Sequence, residues 1–567
     1  MVSPQWLAKT PKGTHFPNSF GYLPRIVKHL LLLRNDWTEE SLTDFLNPKL
    51  KNLSDPFLIG EMHETVERIF KAIDNGEVIT LFGDYDVDGI TSLTLMSRML
   101  SAYGVTARLV IPVRGAEGYG LTQLAVERCF SENPDTQLLI AMDCGTSSVE
   151  EIANISHKGV DVIVLDHHEP NTPVRPACYS IVNPKACFTP NASGDFSYLC
   201  AAGVVFKVCH ALLKTRRLPD VELKDLLDLV AIATVADIVP LVEENRILVK
   251  HGLKVLGTTD KLGLIALKEV AGVGDNPESG DIGYRIGPRI NAAGRMDAPI
   301  EALEMLLTTC PTSADYLVAR LNRYNMERQS YEKAIQKEAT DMVINNGLEK
   351  HHCLIIGKRG WHPGVVGIVA ARLMRRFFKP TFVIAFNENG EGKGSGRSIN
   401  GLSLVDAIEA GREYLLAGGG HHAAAGISLK EEELENFQDA LNKYFSEHTT
   451  QEQRNPKLEI DAEVGFDELS FQFLESYEKL KPFGPENPQP VFMTRMVTHS
   501  RPPRELKNKH MKLYLAQAGV QQEAMFFGGA ALDLPPQPWD ICYTVDKNVF
   551  RGRVSLQLTI QHVRSSI

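Results

Sequence analysis

The sequence predicts an α/β protein with a doubly wound parallel-sheet core, a second α/β lobe joined to it by one long helix, and a small C-terminal β-barrel. Three observations carry this reading. Val78-Ile79-Thr80-Leu81-Phe82, Leu138-Leu139-Ile140-Ala141-Met142 and Val162-Ile163-Val164-Leu165 are continuous apolar runs, as in parallel strands buried on both faces. Leu317, Leu321, Tyr324, Arg328, Tyr331, Ile335, Ala339 and Met342 recur at intervals of three and four, marking one amphipathic helix. Short strand candidates at close spacing then fill the end of the chain, at 511–515, 541–545 and 555–560.

The elements follow in order. At 567 residues the chain is too long for one core, and about 150 residues per domain gives three or four units. Residues 1–60 read as a helical segment, with Asp36 and Thr38-Glu39-Glu40 as a helix start, expected to buttress the domain that follows. The core, 61–305, runs strand, helix 90–103, strand 107–111 and then the two remaining apolar strands, a βαβ rhythm. The connecting helix occupies 306–347. The second lobe, 348–450, sets strands Cys353-Leu354-Ile355-Ile356 and Thr381-Phe382-Val383-Ile384 around a helix at 365–378, and carries two glycine-rich segments, 392–398 and 418–422. A polar stretch at 448–456 leads into the barrel, 451–567.

No run of about 18 apolar residues is present, Leu30-Leu31-Leu32-Leu33 being bracketed by Lys28, His29 and Arg34. The opening residues lack the basic segment and apolar core of a secretion signal, so a cytoplasmic location is expected. The nine cysteines, among them Cys129, Cys144, Cys178, Cys187 and Cys200, form no CxxC pair and no zinc spacing; free thiols are expected. A formal net charge of −10 argues only weakly against a nucleic-acid partner, because metal-binding carboxylates contribute to it and a local basic groove can sit on an acidic protein.

Acidic clusters end the three apolar strands: Asp84-Tyr85-Asp86-Val87-Asp88-Gly89, Asp143-Cys144-Gly145 and Asp166-His167-His168. Their carboxyl ends share one rim, where open α/β sheets place ligands. Like charges packed so closely need cations. Asp237, in an apolar setting, adds a further carboxylate that would be costly unpaired. Asp84, Asp86, Asp88, Asp143, Asp237 and an imidazole exceed what one ion needs and suit two cations about 3.5–4 Å apart. Oxygen-rich ligands without thiolate favour Mn²⁺ or Mg²⁺ over Zn²⁺, and the imidazole favours Mn²⁺. Asp166 reads as the residue that caps or orients the His pair.

These residues together resemble the DHH phosphoesterase superfamily, named for the motif seen here as Asp166-His167-His168. From about Leu53 onward the chain is similar to one branch, the RecJ family of single-strand-specific 5′→3′ DNA exonucleases. The resemblance rests on Gly83 through Gly89, Arg114 with Glu117-Gly118-Tyr119-Gly120, Thr234-Val235-Ala236-Asp237, the run from Gly287 to Arg295, Trp361-His362-Pro363-Gly364, Gly396-Arg397-Ser398 and Gly419-Gly420-His421. It implies metal ligands at Asp84, Asp86, Asp88, Asp143, His167 and Asp237, with His168 beside the scissile phosphate and His168, Asp143 and His167 at the chemistry. It also implies that Arg114, Asn291, Arg295, Ser395, Gly396, Arg397, Gly420 and His421 hold the strand and that the barrel is an OB-fold. Its motifs depart from the family pattern at Cys144, His422 and Glu486, none of them a proposed ligand.

Read for themselves, Ser395-Gly396-Arg397 offers backbone N–H groups, a hydroxyl and a guanidinium to a phosphate, and the glycines of 419–420 allow close backbone approach. In the barrel, Arg501, Arg504, Lys507, Lys509 and Lys512 lie near apolar strands, and Phe526-Phe527 offers a stacking face of which one ring is expected in the core. The implied activity is two-metal hydrolysis of single-stranded DNA to 5′-mononucleotides in recombination and repair, by a monomer working with a single-strand-binding protein and a RecQ-type helicase. A relative acting on short oligonucleotides, cyclic dinucleotides or pyrophosphate is the competing enzyme reading; it would carry a histidine where this chain has Phe82. A catalytically dead DNA-binding scaffold is the non-enzyme reading, opposed by the complete ligand set.

Overall fold

Five short strands, buried on both faces, assemble the sheet that the apolar runs predict. The computed structural model describes residues 4–186, 194–296, 298–550 and 553–566. In chain order the core contains β1 (Ile79–Gly83), α1 (Val87–Ala102), β2 (Arg108–Val110), β3 (Leu138–Met142), β4 (Asp161–Leu165), β5 (Ser180–Val182), α2 (Ala201–Thr215) and α3 (Leu227–Ala236). The order across the sheet is β2-β1-β3-β4-β5 and every pair is parallel. Gly83 lies opposite Met142 and Met142 opposite Leu165, so the residues that follow, Asp84, Asp143 and Asp166, leave the sheet side by side. On one face Phe82, Leu139, Ala141, Val162 and Val164 pack with Ala125, Ile152 and Ile155. On the other lie α1 and α2, with α3 against both.

The second lobe follows α4 (Gly287–Arg295) and the 35-residue α5 (Pro311–Asn345). It comprises β6 (Leu354–Arg359), α6 (Val366–Phe377), β7 (Thr381–Phe386), β8 (Glu391–Arg397), β9 (Ala417–Gly420) and β10 (Ala424–Lys430). The sheet order is β9-β10-β8-β7-β6. Along α5, Leu317, Leu321, Ile335 and Ala339 are buried, but Tyr331 of the predicted stripe is exposed, while Arg328 and Glu332 are buried as an ion pair.

Two expectations are corrected here. The first glycine-rich segment is a strand within a sheet, and the second is a strand up to Gly420 followed by a hairpin turn. β8 runs between β7 and β10 with partners on both sides, which commits its backbone N–H groups to the sheet and not to a phosphate. Its glycines serve packing: a Cβ at Gly392, Gly394 or Gly396 would come within 2.5–2.7 Å of Phe386, Ile384 or Phe382. The N-terminal segment, expected to buttress the domain that follows it, groups with the end of the chain. Residues 4–53 form one unit with 240–250 and the barrel. Gln5–Ala8 is a strand parallel to Lys457–Ile460, and Ile26, Val27, Leu30, Leu31 and Trp37 share a core with Phe466, Tyr477 and Phe492. An amphipathic stripe announces that a face is buried without saying against what.

The barrel closes through β11 (Phe492–Leu506), β12 (His510–Gln517), β13 (Val520–Phe526), β14 (Trp539–Phe550) and β15 (Arg553–Ser565), in the order β11-β12-β13-β15-β14 and back to β11. Eight cysteines are free thiols, and Cys187 lies outside the described residues. No helix among the described residues is long and apolar enough to cross a membrane.

Candidate active site: two acidic triads beside an arginine cluster

The first acidic cluster sits where β1 turns into α1. Asp84 follows the strand directly; Asp86 is the N-cap of α1 and accepts from the N–H groups of Asp88 (2.9 Å) and Gly89 (3.3 Å); Asp88 is already helical. The strand-to-helix turn thus brings Asp84 and Asp86 into one ligand group and Asp88 into another. Asp88 is fixed from a second direction, its carboxylate accepting from Ala201 N–H at 2.7 Å and Ala202 N–H at 2.8 Å at the start of α2. Asp143 follows β3 in the left-handed region, with φ of 61°, and Asp237 caps the C-terminus of α3.

Ligand atoms gather into compact groups: Asp84, Asp86 and Asp143; Asp88, His167 and Asp237; and Asp143 with both histidines, the atoms of each group lying within 4.8 Å of one another. Nε2 of His167 is 3.5 Å from Asp143, 3.6 Å from Asp237 and 3.7 Å from Asp88. Asp84 Oδ2, Asp143 Oδ1, Asp237 Oδ2 and both ring nitrogens of His167 are buried without hydrogen-bond partners. Such orphaned atoms are expensive unless something else satisfies them.

The electrostatics agree. Burial, then the Asp86 charge, raises Asp84 well above the usual carboxylate range and Asp88 to about 6. Burial, then Asp88, raises Asp143 as well and holds Asp237 at about 8. Burial and the neighbouring His168 push His167 down to about 3, favouring a neutral imidazole with one ring nitrogen free to act as a ligand. Divalent cations remove the repulsion and satisfy the orphaned atoms together, and the all-oxygen-and-imidazole donor set fits Mn²⁺ or Mg²⁺.

His168 is held differently. Asp166 accepts from the backbone N–H groups of His167 (2.7 Å), His168 (3.2 Å) and Thr146 (3.1 Å), and bonds Nδ1 of His168 at 2.8 Å. Burial lowers the His168 pKa, but the bond to Asp166 outweighs it and holds the imidazole at about 9. His168 is thus an imidazolium whose Nε2 faces the Tyr119 hydroxyl at 3.0 Å; that hydroxyl donates to the Asp143 carbonyl at 3.1 Å. Asn183 braces the same loop, donating to the His168 carbonyl at 2.9 Å and to Thr146 Oγ1 at 2.8 Å.

The predicted phosphate binders form a second group. Arg114 lies close enough to Arg295 and Arg397 that its charge, after burial, lowers both, Arg295 to about 10. Among the described residues none of the three is paired with a carboxylate. Nη1 of Arg295 donates to the Gly364 carbonyl at 3.0 Å and Nη1 of Arg397 to the Gly396 carbonyl at 2.7 Å. Strand alternation turns Ser395 and Arg397 to the face opposite Gly396, toward the first turn of α6, where a Cβ on Gly367 would sit 3.3 Å from Ser395 Oγ and 3.1 Å from Arg397 Nη2. Three guanidinium groups near a helix N-terminus form a concentration of positive charge suited to an anion.

Several predicted binders are placed otherwise. Gly396 faces Phe382 in the hydrophobic core. Asn291 accepts from Val87 N–H at 3.2 Å and so braces the turn of the metal ligands. Gly420 and His421 lie at the exposed β9–β10 hairpin, where His421 N–H bonds the Ala424 carbonyl at 2.8 Å. Tyr119 and Glu117 belong to the Glu117-Gly118-Tyr119-Gly120 motif, but the sequence assigns them no role: Tyr119 meets residues 24 and 49 positions away, and Glu117 meets Arg128 on the following helix. On the barrel, Arg501 and Lys512 lie over the Tyr514 ring at 5.5 and 5.4 Å, Phe527 is exposed, and Phe526 is in the core.

Comparison with known proteins bears on each part. Family models match three segments: the DHH family N-terminal domain over 78–234, the DHHA1 domain over 350–447 and the RecJ OB domain over 460–562. The chain is 35% identical to the single-stranded-DNA-specific exonuclease RecJ of Bacillus subtilis, covering 95% of this chain and 68% of the relative. It is 33% identical to RecJ of Haemophilus influenzae, over 92% and 93%. The solved structure of RecJ in complex with Mn²⁺ from Thermus thermophilus superposes with a TM-score of 0.83 at 26% identity, covering 99% of this chain and 80% of that one. Matched in all three domain models and along nearly its whole length, with the acidic triads intact, this chain belongs to the RecJ family.

Proposed function

We propose that this protein is a metal-dependent exonuclease that removes 5′-mononucleotides from the 5′ end of single-stranded DNA. The observation that carries the reading is the pair of ligand triads, Asp84 with Asp86 and Asp143 and Asp88 with His167 and Asp237, built on the same unit as an arginine cluster that has no carboxylate partner among the described residues. Asp84, Asp86 and Asp143 would hold one cation and Asp88, His167 and Asp237 the second. Bound there, two divalent cations supply an activated water and neutralise charge gathering on the phosphate.

The chain's own residues supply binding, orientation and one fixed positive charge. Arg114, Arg295, Arg397 and Ser395 grip the terminal phosphate, which sets the scissile bond one nucleotide away and makes the product a mononucleotide. His168, charged through Asp166, meets the non-bridging oxygens where negative charge develops. Tyr119 holds the outer ring nitrogen of His168. The basic face around Tyr514, with Phe527, offers stacking and charge to bases further along the strand.

Eight unpaired cysteines fit a reducing, cytoplasmic setting. A monomer acting on strands opened by a RecQ-type helicase and presented by a single-strand-binding protein belongs to the same proposal. Turnover of long single strands against di- and trinucleotides tests it: a preference for long strands is expected, and exclusive cleavage of the shortest substrates would move the chain to the oligonucleotide phosphodiesterases.

A further inference from the structure

Tyr85 stands between two of the acidic residues, Asp84 and Asp86, and its ring meets Arg114 and Tyr119. Arg114 Cζ lies over that ring, 5.3 Å from its centroid. The edge of the same ring meets Tyr119, with centroids 6.2 Å apart and planes at 84°. Tyr119 in turn reaches His168 Nε2 at 3.0 Å. A continuous contact path therefore runs from the Arg114 guanidinium, across the turn that carries Asp84 and Asp86, to His168.

Arg114 needs such support more than its neighbours do. Arg295 and Arg397 each donate to a backbone carbonyl, but among the described residues the Arg114 guanidinium makes no hydrogen bond or ion pair. It sits outside regular structure, between β2 and the helix Gln123–Glu132, beside two cations that repel it. An aromatic face is the partner that can hold a cation there without neutralising it, since it leaves all five N–H donors for an anion. A carboxylate would hold the side chain more firmly and abolish its use.

We propose that Tyr85 is a positioning residue that fixes Arg114 against the metal-binding turn and so couples recognition of the 5′-terminal phosphate to the cleavage centre. The inference rests on the reading of the arginine cluster as the 5′-phosphate anchor. Because Tyr85 belongs to the same turn as Asp84 and Asp86, the distance from anchor to cleavage centre is set by one short rigid segment and not by the loop that carries Arg114.

The test compares kcat/KM on one oligothymidylate bearing a 5′-phosphate and on the same strand bearing a 5′-hydroxyl, for the wild type, Tyr85→Phe and Tyr85→Leu, with Mn²⁺ binding followed calorimetrically. The wild type prefers the phosphate. Tyr85→Phe keeps that preference, and Tyr85→Leu reduces it on the order of five-fold with unchanged Mn²⁺ stoichiometry. Preference retained in Tyr85→Leu, or lost equally in Tyr85→Phe, overturns the inference while leaving the anchor standing. Lost Mn²⁺ binding in Tyr85→Leu also overturns it, since the ring would then serve the ligands alone. A wild type indifferent to the 5′-phosphate overturns the anchor itself, and the inference with it.

Discussion

Replacing Glu117 by glutamine should loosen the loop that carries both Arg114 and Tyr119. The Glu117 carboxylate accepts from Val113 N–H at 2.8 Å, from Arg128 Nε at 2.5 Å and from Arg128 Nη2 at 3.0 Å, and the same Nη2 donates to the Ile111 carbonyl at 2.8 Å. One carboxylate thus ties the loop to itself and to the following helix. Bonds to a charged group contribute about 1.5–3 kcal/mol when buried. The Glu117 side chain is 10% exposed and that of Arg128 31%, so the lower end, about 1.5 kcal/mol, is the appropriate figure. That corresponds to about a tenfold fall in kcat/KM on 5′-phosphorylated single strands, the ordered loop being needed for both side chains. Arg128 also pairs with Glu132, which is 56% exposed at 3.2 Å, so Glu132→Gln should stay within about two-fold. Arg128 holds the Glu117 carboxyl below its ordinary value of 4.5. A depressed acid stabilises the fold fully above that value and loses the contribution as pH falls through the lowered one, so the gap between wild type and Glu117→Gln should be constant near neutrality and narrow only in acid. A loss below about two-fold for Glu117→Gln, or an equal loss for Glu132→Gln, would refute the argument.

Other consequences are as direct. Asp143→Ala, which removes a carboxylate shared by two groups of ligands, should lower cleavage by at least about a thousand-fold while the protein remains folded, as judged by circular dichroism. Mn²⁺ should raise the melting temperature of the chelator-treated wild type in a concentration-dependent way, and Asp143→Ala should blunt that rise. Tyr119→Phe, which loses the hydroxyl facing His168, should reduce kcat about tenfold with little change in KM, measured by steady-state kinetics. Gly396→Ala should destabilise by about 1–3 kcal/mol because its methyl would lie 2.5 Å from Phe382, whereas Gly426→Ala meets nothing within 4 Å and should be neutral in denaturant melts.

The acidic centre was legible in the sequence because parallel strands and their register do most of the placing. Once β1, β3 and β4 are in register, the residue after each apolar run must reach the same rim, and no long-range information is needed. Asp237 was legible for another reason, as a carboxylate in an apolar helix end. Glu117 and Tyr119 were not, because their meaning lies in Arg128 and His168, whose positions depend on how separate elements pack. Glycine misled in the second lobe: Ser395-Gly396-Arg397 read as a segment with backbone N–H groups open to a phosphate, but every second residue of β8 must be small where Phe382 and Phe386 cross it. The amphipathic helix Arg25–Leu32 showed its buried face and concealed its partner, the barrel.

The central claim, that the two acidic triads and the arginine cluster together make an exonuclease acting from a 5′ end, is tested most directly by following one single-stranded oligonucleotide labelled at the 5′ or the 3′ end, in Mn²⁺ or chelator. The account predicts that the 5′ label appears at once as a mononucleotide, that the 3′ label passes through a ladder of shortening strands, and that chelator abolishes both. Early release of the 3′ label as a mononucleotide, internal cuts, or cleavage undiminished by chelator would contradict it.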